Sequence, residues 1–141
     1  MTFYTMYRNI FYSRVGSRHH FYAKILSFFA KRQPLLDISE TADIGGGLVV
    51  QHGYSTIIAP RQIGRNCWVN QCVTIGYTND TDAPTIGDNV TIYSGAKVLG
   101  DVRVGNDAVI AANAVVVKDV EANCVVGGVP AKVIRKKCGV R

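Results

Sequence analysis

The sequence predicts an all-β protein, a parallel β-helix of stacked triangular coils preceded by a short N-terminal helical segment. Three observations predict it. An isoleucine or valine returns every six residues, most cleanly at Ile86, Ile92, Val98, Val104, Ile110 and Val116. Six matches neither the 3.6-residue period of a helix nor the simple alternation of a strand. Small residues follow several of these positions (Gly45, Gly64, Gly76, Gly87, Gly105, Ala111), and glycine supplies 14 of 141 residues, as a chain with many turns requires. A short period held over such a length is read as a stacked architecture, with three hexapeptides closing a coil of about eighteen residues.

Each hexapeptide is then one short strand and one bend, its aliphatic side chain pointing into the prism. No coil buries its own apolar face, so stability comes from neighbour on neighbour. The earlier inward positions are Ile38, Ile44 and Val50, then Ile58, Ile63, Val69 and Ile75. The step from Val50 to Ile58 is too long and leaves Gly53–Ser55 as an outward bulge directly after His52; bulges re-aim their neighbours. Between Ile75 and Ile86 the segment Tyr77–Pro84 makes a second irregularity, expected to leave the prism as a loop of the kind that carries binding. Residues 85–121 read as regular scaffold. The expected parts are a basic, aromatic helical segment (1–34), the repeat domain (35–131) and a basic tail (132–141).

A hydrophobic content of 48% and a charged content of 18% exclude disorder. No apolar run is long enough to span a membrane, and Arg8, Arg14, Arg18 and Lys24 interrupt any signal-peptide core, so the expected compartment is the cytoplasm. Cys67, Cys72, Cys124 and Cys138 lack zinc-site spacing and are expected to be reduced thiols; no metal is expected. The net charge of +6 resides in residues 1–33, which hold six basic residues and no acid. Five phenylalanines and four tyrosines share that segment. It is expected to stop being helical before Pro34 and to cap the first coil. Peripheral contact with an anionic membrane surface and docking of a partner enzyme are the alternatives. No nucleic-acid motif accompanies the charge, so no nucleic-acid partner is expected.

His52 is the one histidine of the repeat region, and it falls at the first irregularity. Asp37 precedes it by fifteen residues, close to one coil, and is expected within three residues of lying directly beneath it. A carboxylate there fixes the imidazole tautomer and leaves Nε2 as a proton acceptor; Asp43 and Glu40 are the competing orienters. Such a pair needs no serine or cysteine nucleophile when the acyl donor is already a thioester. Backbone N–H groups near the bulge are the expected oxyanion donors.

These features, with Val73-Thr74-Ile75-Gly76, Ala83-Pro84-Thr85-Ile86-Gly87-Asp88, Ser94-Gly95-Ala96-Lys97-Val98-Leu99-Gly100 and Gly128-Val129-Pro130-Ala131-Lys132, resemble the hexapeptide-repeat acyltransferases, most closely their serine acetyltransferase branch. The resemblance covers about residues 35–135 and implies a left-handed helix, a homotrimer and acetyl-CoA bound at the seam between subunits. It also implies catalytic roles for His52 and Asp37, pantetheine contacts at Gly76, Tyr77, Ser94 and Ala112, and CoA phosphate contacts at Lys118, Lys132 and Arg135. The chain departs from the family in its short N-terminal part and in Gln51, where an aspartate is usual. Its acceptor loop is shorter and carries Asp82-Ala83 where the family has Arg-His. An aspartate there repels the carboxylate of serine. The expected reaction is therefore O-acetylation of a sugar or polysaccharide-precursor hydroxyl, with L-serine as the alternative acceptor. A zinc hydratase on the same scaffold needs three histidines, and a non-catalytic β-helix scaffold is the remaining rival.

Overall fold

The structure, a computed structural model, describes residues 35–136. The helical segment expected at 1–34, its membrane contact, and the chain end at 137–141 with Cys138 lie outside the described residues. The first coil comprises β1 (Leu36–Ile38), β2 (Asp43–Ile44) and β3 (Val49–Val50); the second, β4 (Thr56–Ile58), β5 (Gln62–Ile63) and β6 (Trp68–Val69). The third holds β7 (Thr74–Gly76), β8 (Thr85–Ile86) and β9 (Thr91–Ile92), and the fourth β10 (Lys97–Leu99), β11 (Arg103–Val104) and β12 (Val109–Ile110). β13 (Val115–Val116), a bridge from Val120 to Val104, and β14 (Cys124–Gly127) make the fifth.

Every third strand pairs in parallel, which gives three faces. The first is β1-β4-β7-β10-β13, the second β2-β5-β8-β11, and the third β3-β6-β9-β12-β14. The result is the left-handed parallel β-helix expected. Its core is the six-residue series: Ile86, Ile92, Val98, Val104, Ile110 and Val116 are each at most 2% exposed. Burial of each is worth about 1.5–3 kcal/mol. The irregular step keeps its register, since Ile58 and Ile63 are both buried. Ile44, in the first coil, is only partly buried.

Corner chemistry follows from the tight coil spacing. At the turn from second to third face, Asn66, Asn89, Asp107 and Asn123 all have φ between 55° and 59°, the left-handed region that Asn and Asp tolerate best after glycine. Gly64 is required for a different reason: a Cβ there would lie 2.6 Å from the Gly87 carbonyl carbon. At the end of the stack the chain reverses through Gly128, and β15 (Lys132–Lys136) pairs antiparallel with β14. The residues expected as a basic tail therefore begin as a strand, which covers the open edge of β14. Cys67 and Cys124 are buried thiols and Cys72 is exposed, all unpaired by disulfides. Burial raises the Cys67 thiol pKa, and the thiol donates to the Gly87 carbonyl at 3.1 Å.

Candidate active site

His52 stands at the corner between the third and first faces, immediately after β3, exposed and with φ of 64°. Gly53 and Ser55 are left-handed as well, at 54° and 50°, so the corner swings outward as the sequence irregularity predicts. Among the described residues, the N–H groups of His52 through Ser55 find no backbone acceptor. Register carries the corner upward. Val50 pairs with Val69, Val69 with Ile92, Ile92 with Ile110 and Ile110 with Val126. Two residues beyond each stand His52, Gln71, Ser94, Ala112 and Gly128, in one column along a single edge of the prism. The structure thus aligns His52 with Ser94 and Ala112. At strand spacing of about 4.8 Å the column extends roughly 19 Å.

Asp37 lies on the outward side of β1, exposed, with Ile57 as its partner in the next coil. The coil here is twenty residues long, 57 minus 37, because the His52 corner is extended. Asp37 therefore stacks under a position five residues beyond His52, one coil below and across the same corner. Among the described residues no hydrogen bond or ion pair joins Asp37 to His52. Of the competing orienters, Asp43 sits on the second face and Glu40 in the turn leading to it, so Asp37 is the acid of the three on the His52 side of the coil.

The first face carries a groove of about 410 Å³. Its walls are two outward columns set by register, Asp37–Ile57–Thr74 and Ser39–Ala59–Gly76–Leu99, closed by Tyr77. Of the predicted site residues it gathers Asp37, Gly76 and Tyr77. A Cβ placed on Gly76 meets nothing nearer than Thr74 Cγ2 at 3.9 Å, so the surface above that glycine is open. Sequence reasoning missed Ser39, Ile57, Ala59, Thr74 and Leu99. Their signal was present: each flanks a buried aliphatic of the first face (Ile38, Ile58, Ile75, Val98) and must point outward.

The Tyr77–Pro84 loop leaves the first-to-second corner as expected, but Asp82 plays a different part from the one predicted. Its Oδ1 accepts from the N–H groups of Thr78 (2.7 Å) and Asn79 (3.0 Å), and its Oδ2 accepts from Asn79 Nδ2 (3.1 Å) and the Thr78 hydroxyl. The Thr78 hydroxyl bond and then the Asn79 backbone bond hold the carboxyl below its usual pKa. Asp82 therefore fastens its own loop, and its carboxylate stays ionised there. Ala83 follows it at the loop's return, half-buried. Gln51 is likewise occupied, accepting from Trp68 Nε1 at 3.0 Å on the third face.

The three predicted phosphate-binding cations are not brought together. Lys132 pairs with Gly127, at the top of the His52 column, and Arg135 lies further along the third face opposite Val125. Lys118 follows β13 at the opposite border of the first face, exposed. Among the described residues no group of three histidine, cysteine or acidic side chains could hold a metal ion.

The model of the bacterial transferase hexapeptide family (six repeats) matches residues 83–118. The chain is 37% identical over 123 residues to serine acetyltransferase of Helicobacter pylori, covering 84% of this chain and 72% of the relative. It is 35% identical over 122 residues to that of Synechococcus elongatus, covering 84% of this chain and 50% of the relative, about half its length. Neisseria gonorrhoeae serine acetyltransferase, solved in complex with serine, superposes with a TM-score of 0.77 at 31% identity, over 95% of this chain and 57% of that one. A serine acetyltransferase solved in complex with CoA superposes with a TM-score of 0.76 at 28% identity, over 94% of this chain and 56% of that one. Fold, register and sequence agree: the chain belongs to the serine acetyltransferase family of bacterial hexapeptide-repeat transferases.

Proposed function

We propose that the protein transfers an acetyl group from acetyl-CoA to the hydroxyl of L-serine, with His52 as general base and Asp37 as its orienting carboxylate. The observation that carries this reading is the edge column of His52, Gln71, Ser94 and Ala112, which runs beside a groove left open above Gly76. A thioester lying along that edge brings its carbonyl to His52. The acceptor oxygen attacks the carbonyl carbon as His52 Nε2 takes its proton. The C–O bond forms, the C–S bond breaks, and the imidazolium returns the proton to the departing thiolate, leaving an acetyl ester and free CoA thiol. N–H groups of the His52–Ser55 corner, which have no backbone acceptor among the described residues, are available to the oxyanion. Lys132, at the top of the column, and Arg135 and Lys118 are the cations available to the CoA phosphates.

L-serine is supported by the relatives' shared name and by the likeness to a serine acetyltransferase solved in complex with serine. A neutral sugar hydroxyl is the second reading, and one observation favours it: among the described residues, none of those lining the groove is basic. His52, level with Gln71, and Tyr77 stand at opposite borders of the first face, six positions apart (77 minus 71) or up to roughly 20 Å along the chain. The site is accordingly completed by a second copy, in a homotrimer. The deciding experiment measures CoA release with a thiol reagent, offering L-serine and a panel of free and nucleotide-linked sugars at equal concentration. Turnover on serine alone supports the first reading; turnover on a sugar alone overturns it in favour of the second. His52→Ala is expected to lower the rate by about 10²-fold or more without loss of fold. An unchanged rate would remove His52 from catalysis, and no release with any acceptor would leave the scaffold reading.

A further inference from the structure

The His52 corner is held in a conformation that the chain does not adopt unaided. Three of its four residues have positive φ, two of them with side chains, and such positions persist only where the surroundings over-determine them. The restraint comes from the coil above. Cys72 N–H donates to the Tyr54 carbonyl at 2.8 Å, and the Thr56 hydroxyl donates to the same oxygen at 3.1 Å. Cys72 is itself left-handed, at 59°, and its carbonyl accepts from Lys97 Nζ at 2.7 Å.

Lys97 reaches this point from β10, where it is the register partner of Thr74. Its stem therefore covers the outer surface of the first face, and its ammonium ends at the corner above His52. A hydrogen bond with a charged donor is stronger than a neutral one, and a half-buried lysine is a costly way to fill an outward position unless the head group has a use. Among the described residues it is the one basic side chain at the outward positions of β1, β4, β7, β10 and β13.

We propose that Lys97 is a positioning residue for His52: its ammonium pins the Cys72 carbonyl, Cys72 N–H pins the Tyr54 carbonyl, and the corner that carries the imidazole is thereby fixed. This rests on the reading of His52 as general base. A misplacement of about 1 Å can cost on the order of 10²-fold in rate, so a loosened corner lowers turnover more than binding.

The test compares Lys97→Met, which keeps the stem and removes the ammonium, with Lys97→Arg, which keeps a charged donor. Circular dichroism first establishes that each is folded, and Lys97→Gln replaces the methionine variant should that one fail. The neutral variant is expected to lose about tenfold or more in kcat with both KM values within twofold, and arginine to recover most of the loss. An unchanged kcat overturns the proposal. So does a loss confined to the acceptor KM, since the ammonium would then bind the acceptor. A readout independent of turnover is the His52 imidazole resonance, assigned by its absence in His52→Gln. Displacement in the neutral variant and return in the arginine variant supports the positioning role even where no acceptor is acetylated, whereas an unmoved resonance overturns it. Absence of turnover in the wild-type chain, by contrast, is a failure of the acetyl-transfer reading alone.

Discussion

At the scale of single residues, two glycines with the same place in the six-residue period are kept for opposite reasons. Gly64 faces the Gly87 backbone, and any side chain there collides with the coil above. Gly76 has ordinary backbone geometry and open space around its missing Cβ; what that space admits is the groove. Gly64→Ala is therefore expected to destabilise the fold by about 1–3 kcal/mol, the usual cost of overpacking, read as a lower urea midpoint. Gly76→Val is expected to leave the midpoint unchanged and to raise the KM for acetyl-CoA at least tenfold, roughly the effect of losing 1.4 kcal/mol of binding. An unaltered KM in that variant would mean that the groove is not where the donor lies. The sequence marks both positions only as small residues after an aliphatic; telling a packing glycine from a binding glycine requires knowing what stands opposite.

Among the elements, the Tyr77–Pro84 loop shows how far spacing is informative. Its departure from the prism is visible in the eleven residues from Ile75 to Ile86, because a six-residue step cannot absorb them. The inward positions were legible for the same reason, down to Ile58 and Ile63 on either side of a slipped corner. The partner of Asp82 was not legible, since a carboxylate can accept from its own loop or face a ligand at identical spacing. Coil length follows from the same inward positions, but an average of about eighteen residues per coil misplaces single stacks: Asp37 to Ile57 is 20 residues, Ile58 to Ile75 is 17 and Val69 to Ile92 is 23. Each corner excursion changes which outward residues stack, so Asp37 meets Ile57 while the core remains in register. With Asp82 fastened to Thr78 and Asn79, Asp82→Ala is expected to free the loop, seen as faster amide exchange at Thr78–Asp82. The pKa of Asp82 is lowered in the fold, so its ordering effect is complete above the ordinary aspartate pKa. It is lost as pH falls through the lower folded value. Loop protection that survives well below the ordinary pKa in the wild-type chain, and is absent at neutral pH in the alanine variant, is the expected pattern. Equal protection in both would show that the loop is held by something other than this carboxylate.

For the whole molecule, the three faces differ in a way that bears on assembly. The second face presents Asp43, Gln62, Thr85 and Arg103, and Arg61 pairs with Asp101 beside it at 3.3 Å; this is a solvated surface. Large apolar side chains stand out on the other two, Ile57 on the first and Trp68 and Tyr93 on the third. Those faces meet at the edge that carries His52. Tightly wound coils bury aliphatics inward, and nothing in the six-residue period calls for aromatics outward, so the apolar exposure beside the His52 edge is best used between subunits. Tyr93 lies outside the groove lining, which makes it a probe of assembly separate from binding. Light scattering on the wild-type chain is expected to give about 46 kDa, three times 15.4 kDa. Tyr93→Asp is expected to shift the mass toward one subunit and to lower transfer in proportion, with β-helix circular dichroism retained. A wild-type mass of one subunit with full activity would show that His52 and the groove form a complete site within a single chain.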